Sequence, residues 1–280
     1  MLDTVPPNVR AIAISQRGLG GSTPLSPAQE NGSVSPRELY DVLVNDLHGV
    51  LKFTRDDLAI PVKGGVRMLA WSMSSAIVLG LFTPEHISTT TTFFPFLKRV
   101  IFWDPPLMGV HGLPPTATGL KLFRMETFID YVATFFDYPP EYLSSRTRGK
   151  FADVFTSNGT TLDSPGYAEW AKKAQDLRSS LPNRLPCIAD DRAQLQEKSR
   201  EAHHILGKAN VSKQVLYGTR ATPENLEGCW ASRDWIEEAG GICKVIHNMI
   251  YRLIRQVTVV ENVNHFAHFH EPEKLWKALL

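Results

Sequence analysis

The 280-residue chain has few of the features that mark several large protein classes. It has only three cysteines (Cys187, Cys229 and Cys243) and no C-x-x-C pair, so neither a disulfide framework nor a zinc site is indicated. A net charge of +1 gives no electrostatic reason to expect nucleic acid or an anionic membrane as a partner. No apolar run approaches the roughly 20 residues that span a bilayer. The first residues do not resemble a signal peptide, so an intracellular, cytoplasmic protein is expected.

The composition is typical of a globular protein with a buried core, because 43% of the residues are hydrophobic and 21% are charged. Short apolar stretches alternate with stretches of helical period. Strands are predicted at residues 9–15, 66–70, 98–103, 214–218 and 256–261, and helices at 36–54, 75–82, 225–239 and 271–280. This alternation predicts an α/β fold, in which helices flank a mostly parallel sheet.

One long segment interrupts the alternation. Residues 107–210 contain helical stretches joined by loops rich in proline and glycine, including one at 192–206. We therefore expect residues 1–106 and 211–280 to form the core, with 107–210 as a helical lid inserted after the third strand. Many aromatic side chains lie in this lid, where they either fill its own core or line an apolar pocket.

The loops that follow the strands carry polar residues. In a parallel sheet with right-handed crossovers, the carboxyl ends of the strands meet at one edge. Ser72, Asp104 and His265 each follow a predicted strand, so this topology brings together a serine, an acid and a histidine that are far apart in the sequence. A carboxylate that orients a histidine, which in turn deprotonates a serine, is a set suited to acyl transfer.

Ser72 occupies a tight turn between a strand and a helix. Gly64 and Gly65 precede the strand, and the flanking Ala70 and Ser74 are small enough to let the backbone turn sharply. A serine in an ordinary strand-to-helix turn is the alternative interpretation.

This turn resembles the nucleophile elbow of the α/β-hydrolase family, G-x-S-x-G, with Ala70 and Ser74 at the glycine positions. The Arg-Gly-x-Gly-x-Ser loop at residues 17–22 is similar to a loop of that family, and the order serine, acid, histidine is the family order. The resemblance implies that Ser72 is the nucleophile and His265 the base. It also implies that the backbone N–H of Met73 contributes to an oxyanion hole.

Two family features are altered. No carboxylate occurs at 219–223, where the family most often places its acid, so Asp104 is chosen, with Glu224 and Glu227 as alternatives. The His-Gly loop that completes the oxyanion hole has no equivalent after a strand, because His48 falls in a predicted helix and His111 in the lid. Measured against the family, the chain starts before the fourth strand, and the first three are expected to be absent.

The resemblance implies a serine hydrolase that cleaves an ester, thioester or related acyl bond of a small hydrophobic substrate. It extends more loosely to fungal hydrolases of secondary metabolism. An acyltransferase and a non-catalytic binding protein with the same fold remain alternatives. Neither a cofactor nor a metal ion is expected, and nothing in the sequence indicates an oligomeric state.

Overall fold

The computed structural model describes residues 4–15, 17, 22–24, 26–30, 36–58, 60, 64–72, 74–106, 192–219, 223–240, 243–244, 258–261, 263 and 271–280. These residues form an α/β fold, in which a parallel sheet of five strands is flanked by helices. The elements, in chain order, are α1 (Pro27–Glu30), α2 (Pro36–Asp56), β1 (Val66–Trp71), α3 (Ser74–Gly80), α4 (Ile87–Thr91), β2 (Leu97–Trp103), α5 (Arg192–Lys208), β3 (Ser212–Gly218), α6 (Pro223–Glu238), β4 (Cys243–Lys244), β5 (Thr258–Val260) and α7 (Pro272–Leu279).

The strands lie in the order β1-β2-β3-β4, and β5 also pairs with β3. β4 pairs with Lys213 and Gln214, whereas β5 pairs with the last three residues of β3, so the two short strands share one side of it. Every pairing is parallel. The carboxyl ends of the strands consequently lie at one edge of the sheet.

Both faces of the sheet are covered, as is usual for parallel sheets. Val100 and Phe102 point to one face, where they pack in a cluster with residues of α2, α3, α5 and α6. Ile101 and Trp103 point to the other face, where the cluster includes Leu275 and Leu279 of α7. This alternation along β2 follows from the two-residue period of a strand.

Helix α2 packs against α3 through a glycine. A Cβ atom on Gly80 would lie 2.3 Å from Cγ2 of Val44 and 2.7 Å from the hydroxyl of Tyr40. That hydroxyl donates a hydrogen bond of 2.7 Å to the carbonyl oxygen of Ala76. The absence of a side chain at residue 80 therefore lets the two helices approach closely.

Most predicted elements in the described ranges are confirmed, including the helix that begins at Pro36 and the strands at 98–103 and 214–218. The predicted strand at residues 9–15 is wrong, because this segment belongs to no strand of the described sheet. Ile12 and Ile14 are 47% and 50% exposed. Apolar composition favours a strand, but a strand also needs a neighbour for its backbone hydrogen bonds.

This correction changes which strand the predicted lid follows. With no strand at 9–15, residues 107–210 follow the second described strand and not the third. Residues 107–191 lie outside the described residues, so the predicted lid and its boundaries stay a prediction. The predicted helix at 192–206 is confirmed as α5, which packs against α3 and α6. Within the described ranges, no helix is long and apolar enough to cross a membrane.

Candidate active site

Ser72 occupies the turn between β1 and α3. Its φ angle is 53°, in the left-handed region that residues other than glycine rarely adopt. The side chain is half-buried, and the carbonyl oxygen of Ser72 accepts a hydrogen bond of 3.0 Å from the backbone N–H of Ser75. Sparsely populated backbone conformations of this kind occur most often at functional sites, where the surrounding structure enforces them.

Ser74 braces the same turn. Its hydroxyl donates a hydrogen bond of 2.5 Å to the carbonyl oxygen of Trp71 and accepts one of 2.8 Å from the backbone N–H of that residue. Ala70, two residues before Ser72, is buried with 1% of its surface exposed. Ser74 therefore does more than remain small, because its hydroxyl closes the turn. The sequence indicated only that a small residue was needed there.

Asp104 directly follows β2 and also has a positive φ angle, 44°. Its side chain is fully buried, and Oδ1 accepts a hydrogen bond of 3.3 Å from the backbone N–H of Gly218. The backbone N–H of Asp104 donates to the carbonyl oxygen of Leu216 at 2.9 Å, and this hydrogen bond links the backbone at Asp104 to β3. A carboxylate in such a place requires hydrogen-bond donors around it, since an uncompensated buried charge is costly.

Asn225 fixes the backbone at Asp104 from a third element. Its side-chain amide, in the first turn of α6, donates a hydrogen bond of 2.5 Å to the carbonyl oxygen of Asp104. Asn225 is itself 4% exposed. No sequence signal pointed to this residue, because an asparagine early in a helix is common and its partner is 121 residues away.

The sheet register brings Ser72 and Asp104 together. Trp71 and Trp103 are paired across β1 and β2, and the backbone N–H of Ser72 donates to the carbonyl oxygen of Trp103 at 2.9 Å. Ser72 directly follows Trp71, and Asp104 directly follows Trp103. Since neighbouring strands are about 5 Å apart, the two backbones lie side by side at the carboxyl edge of the sheet.

The remaining predicted site residues are Met73, His265, Glu224 and Glu227. Met73 and His265 lie outside the described residues. Glu224 and Glu227 fall in the first turns of α6, and their side chains are likewise outside the described set. His48 lies within α2, as expected from the sequence, where its Nε2 is 2.9 Å from the hydroxyl of Thr90.

The described part of the site places the half-buried Ser72 next to the end of the strand that the buried Asp104 follows. No group of three or more His, Cys, Asp or Glu side chains in the described ranges is arranged to hold a metal ion. A serine hydroxyl becomes a strong nucleophile when a base accepts its proton. The arrangement suits acyl transfer if an imidazole lies between the hydroxyl and the carboxylate.

Comparisons with known proteins give similarity to solved structures only, since neither a protein-family model nor a curated protein matches the chain. A lipase-esterase related protein from Clostridium acetobutylicum is 11% identical, with a TM-score of 0.49 over 94% of this chain and 79% of that chain. A carboxylesterase of Nitrososphaera gargenis is 10% identical, with a TM-score of 0.42 over 92% of this chain and 73% of that chain. A bromoperoxidase from Bacillus anthracis is 16% identical, with a TM-score of 0.43 over 94% of this chain and 78% of that chain. TM-scores below 0.5 do not fix a family, so the site geometry carries the functional argument.

Proposed function

We propose that this chain is a serine hydrolase of the α/β-hydrolase type that cleaves an ester, thioester or related acyl bond. One observation carries the proposal: Ser72 has a left-handed backbone at the turn between β1 and α3, beside the end of the strand that carries the buried Asp104. A strained serine in a strand-turn-helix context is the geometric signature of a nucleophile elbow.

In this proposal His265 accepts the proton of the Ser72 hydroxyl while Oγ attacks the acyl carbon of the substrate. The tetrahedral intermediate collapses when the bond to the leaving group breaks, and the leaving group takes the proton from the imidazolium. Water then attacks the acyl carbon while His265 accepts its proton. The bond between the acyl carbon and Oγ breaks, the imidazolium returns the proton to Oγ, and the carboxylic acid is released. Asp104 orients the imidazole and stabilises its positive charge.

The backbone N–H of Met73 would donate one hydrogen bond to the oxyanion. The sequence contains no His-Gly loop after a strand that would supply the second donor. Each such donor is worth on the order of 10²–10³ in rate, so a second donor would strongly raise turnover. The substrate is proposed to be small and hydrophobic because the segment at 107–210 is rich in aromatic residues. A place in secondary metabolism remains a prediction on which no structural observation bears.

A fluorophosphonate probe tests the proposal, because it forms a covalent bond with activated serines. We expect the wild-type protein to be labelled and Ser72→Ala to be unlabelled. Ser88→Ala changes an exposed serine of α4 and should label like the wild type. Equal labelling of Ser72→Ala and the wild type would refute the proposal.

The same proteins can also test two alternative functions, a non-catalytic binding protein and an acyltransferase. The missing carboxylate at 219–223 and the altered elbow favour a non-catalytic binding protein as the second candidate. A wild-type protein that binds hydrophobic ligands without labelling or turnover would establish it. Product analysis with an added alcohol or amine acceptor separates a hydrolase, which forms the free acid, from an acyltransferase.

A further inference from the structure

A small cavity lies among α3, α5 and α6, behind the loop that follows Asp104. Ser75 lines it from α3, Pro105 from the loop, Ser199 and His203 from α5, and Trp235 from α6. The space open to the centre of a water molecule is about 10 Å³. This volume is close to that needed for a single water.

Three polar atoms of the residues that line this cavity have no hydrogen-bond partner among the described residues. Oγ of Ser75, Oγ of Ser199 and Nε2 of His203 are buried and have no hydrogen-bond partner within the part of the chain that the structure describes. The side chains of Ser75 and His203 are 0% and 1% exposed. Each unsatisfied buried group destabilises the folded state, and three around one cavity indicate a shared ligand.

The protonation of His203 defines what this ligand must donate. Its Nδ1 is 2.7 Å from the carbonyl oxygen of Ser199. A carbonyl oxygen only accepts, so Nδ1 carries the hydrogen and Nε2 has a free lone pair. Burial lowers the pKa of His203 to about 4, so the ring is neutral near pH 7. The ligand must therefore donate a hydrogen bond to Nε2.

The ring cannot easily turn away from the cavity. Trp235 packs edge-on against the imidazole with the ring centroids 5.2 Å apart, and the ring of Phe102 is tilted against it with a centroid distance of 6.0 Å. Rotation of the imidazole would also break the hydrogen bond from Nδ1 to the helix backbone. The lone pair of Nε2 is consequently fixed in its buried position.

We propose that the cavity is a binding site for one structural water molecule. One O–H of this water donates to Nε2 of His203, and the other donates to one of the two serine hydroxyls. The water oxygen accepts a hydrogen bond from the second hydroxyl. Three bonds is the usual number for a buried water. An anion does not suit the site, because the lone pair of a neutral imidazole would face it.

The water connects two separate parts of the fold. Ser75 is in the first turn of α3, and its backbone N–H already donates to the carbonyl oxygen of Ser72. Ser199 and His203 belong to α5. The bridge thus ties the helix that follows Ser72 to α5. The water site does not depend on the proposed hydrolase activity.

A crystal structure of the full chain at high resolution tests the site directly. We expect one water within hydrogen-bond distance of all three atoms, and loss of that water or of one bond in Ser75→Ala. Nitrogen-15 NMR at pH 7 should show His203 neutral, with the hydrogen on Nδ1. An empty cavity, a direct bond from the Ser75 hydroxyl to Nε2, or a charged imidazole would overturn the proposal.

A double-mutant cycle provides an independent measurement. Ser75→Ala and His203→Phe should each lower the folding equilibrium constant about five- to tenfold in urea unfolding, because each leaves buried groups unsatisfied. Together they should lower it by less than the product, since the first change already removes the bridge. Ser88→Ala with His203→Phe is the control and should be multiplicative. A multiplicative Ser75 pair would overturn the proposal, and Ser199→Ala replaces His203→Phe if that variant does not fold.

Discussion

The buried imidazole of His203 makes the stability of the fold depend on pH in a defined window. Burial is the main cause that lowers its pKa from 6.5 to about 4. The hydrogen bond to the Ser199 carbonyl oxygen opposes this shift, and the charge of His204 adds to it. A difference of this size corresponds to about 3 kcal/mol, because one pKa unit is worth about 1.4 kcal/mol.

The direction follows from where protons bind. Between pH 6.5 and about 4, the unfolded chain binds a proton at His203 and the folded chain does not. The free energy of unfolding therefore falls as the pH is lowered through this window. The full contribution is present above pH 6.5. The expected loss is about 2.5 kcal/mol by pH 4.5.

Urea unfolding at pH 7.5 and pH 4.5 measures this loss. The His203→Phe variant should show a difference between the two pH values that is smaller than the wild-type difference by about 2.5 kcal/mol. His48→Phe is the matched control, because burial and the nearby His86 lower the pKa of His48 in the same direction. This control should retain the His203 contribution. An unchanged pH difference in His203→Phe would refute the reasoning.

Three further predictions follow from single contacts. Ser74→Ala removes the hydroxyl that bridges the backbone N–H and carbonyl of Trp71. We expect the free energy of unfolding, measured thermally, to fall by about 1 kcal/mol and the fluorophosphonate to label Ser72 more slowly. Labelling at the wild-type rate would contradict the role of the hydroxyl. Gly80→Ala should lower the free energy of unfolding in urea by about 1–3 kcal/mol, because the added Cβ would overlap side chains of α2. The control Gly49→Ala places its Cβ in open space and should be neutral or stabilising by up to about 1 kcal/mol. Equal effects of the two changes would argue against close helix packing. Asp104→Asn should slow phosphonate labelling on the order of 10³–10⁴-fold while the fold, followed by circular dichroism, is retained; unchanged labelling would exclude Asp104 as the acid.

Local patterns were sufficient to predict much of the fold. The helical period of residues 36–54 predicted α2, and the apolar stretch at 98–103 predicted β2. These signals depend on residues that are close in the sequence. The alternation of strands and helices then predicted the parallel sheet, and with it the side-by-side position of Ser72 and Asp104.

The remaining features depend on contacts between distant residues. Residues 9–15 are as apolar as a strand, yet no pattern in the sequence shows whether a neighbouring strand is present. The two-residue strand β4 is too short to produce a periodic signal. Asn225 and His203 act through partners on other elements or in a shared cavity, so their roles are visible only in the folded chain.

The structure of the phosphonate adduct tests the central claim most directly. The account predicts a covalent bond from phosphorus to Oγ of Ser72, with the imidazole of His265 within about 3 Å of that oxygen and the Asp104 carboxylate behind the ring. A protein whose Ser72 stays unmodified, or whose His265 lies on another side of the sheet, would contradict it.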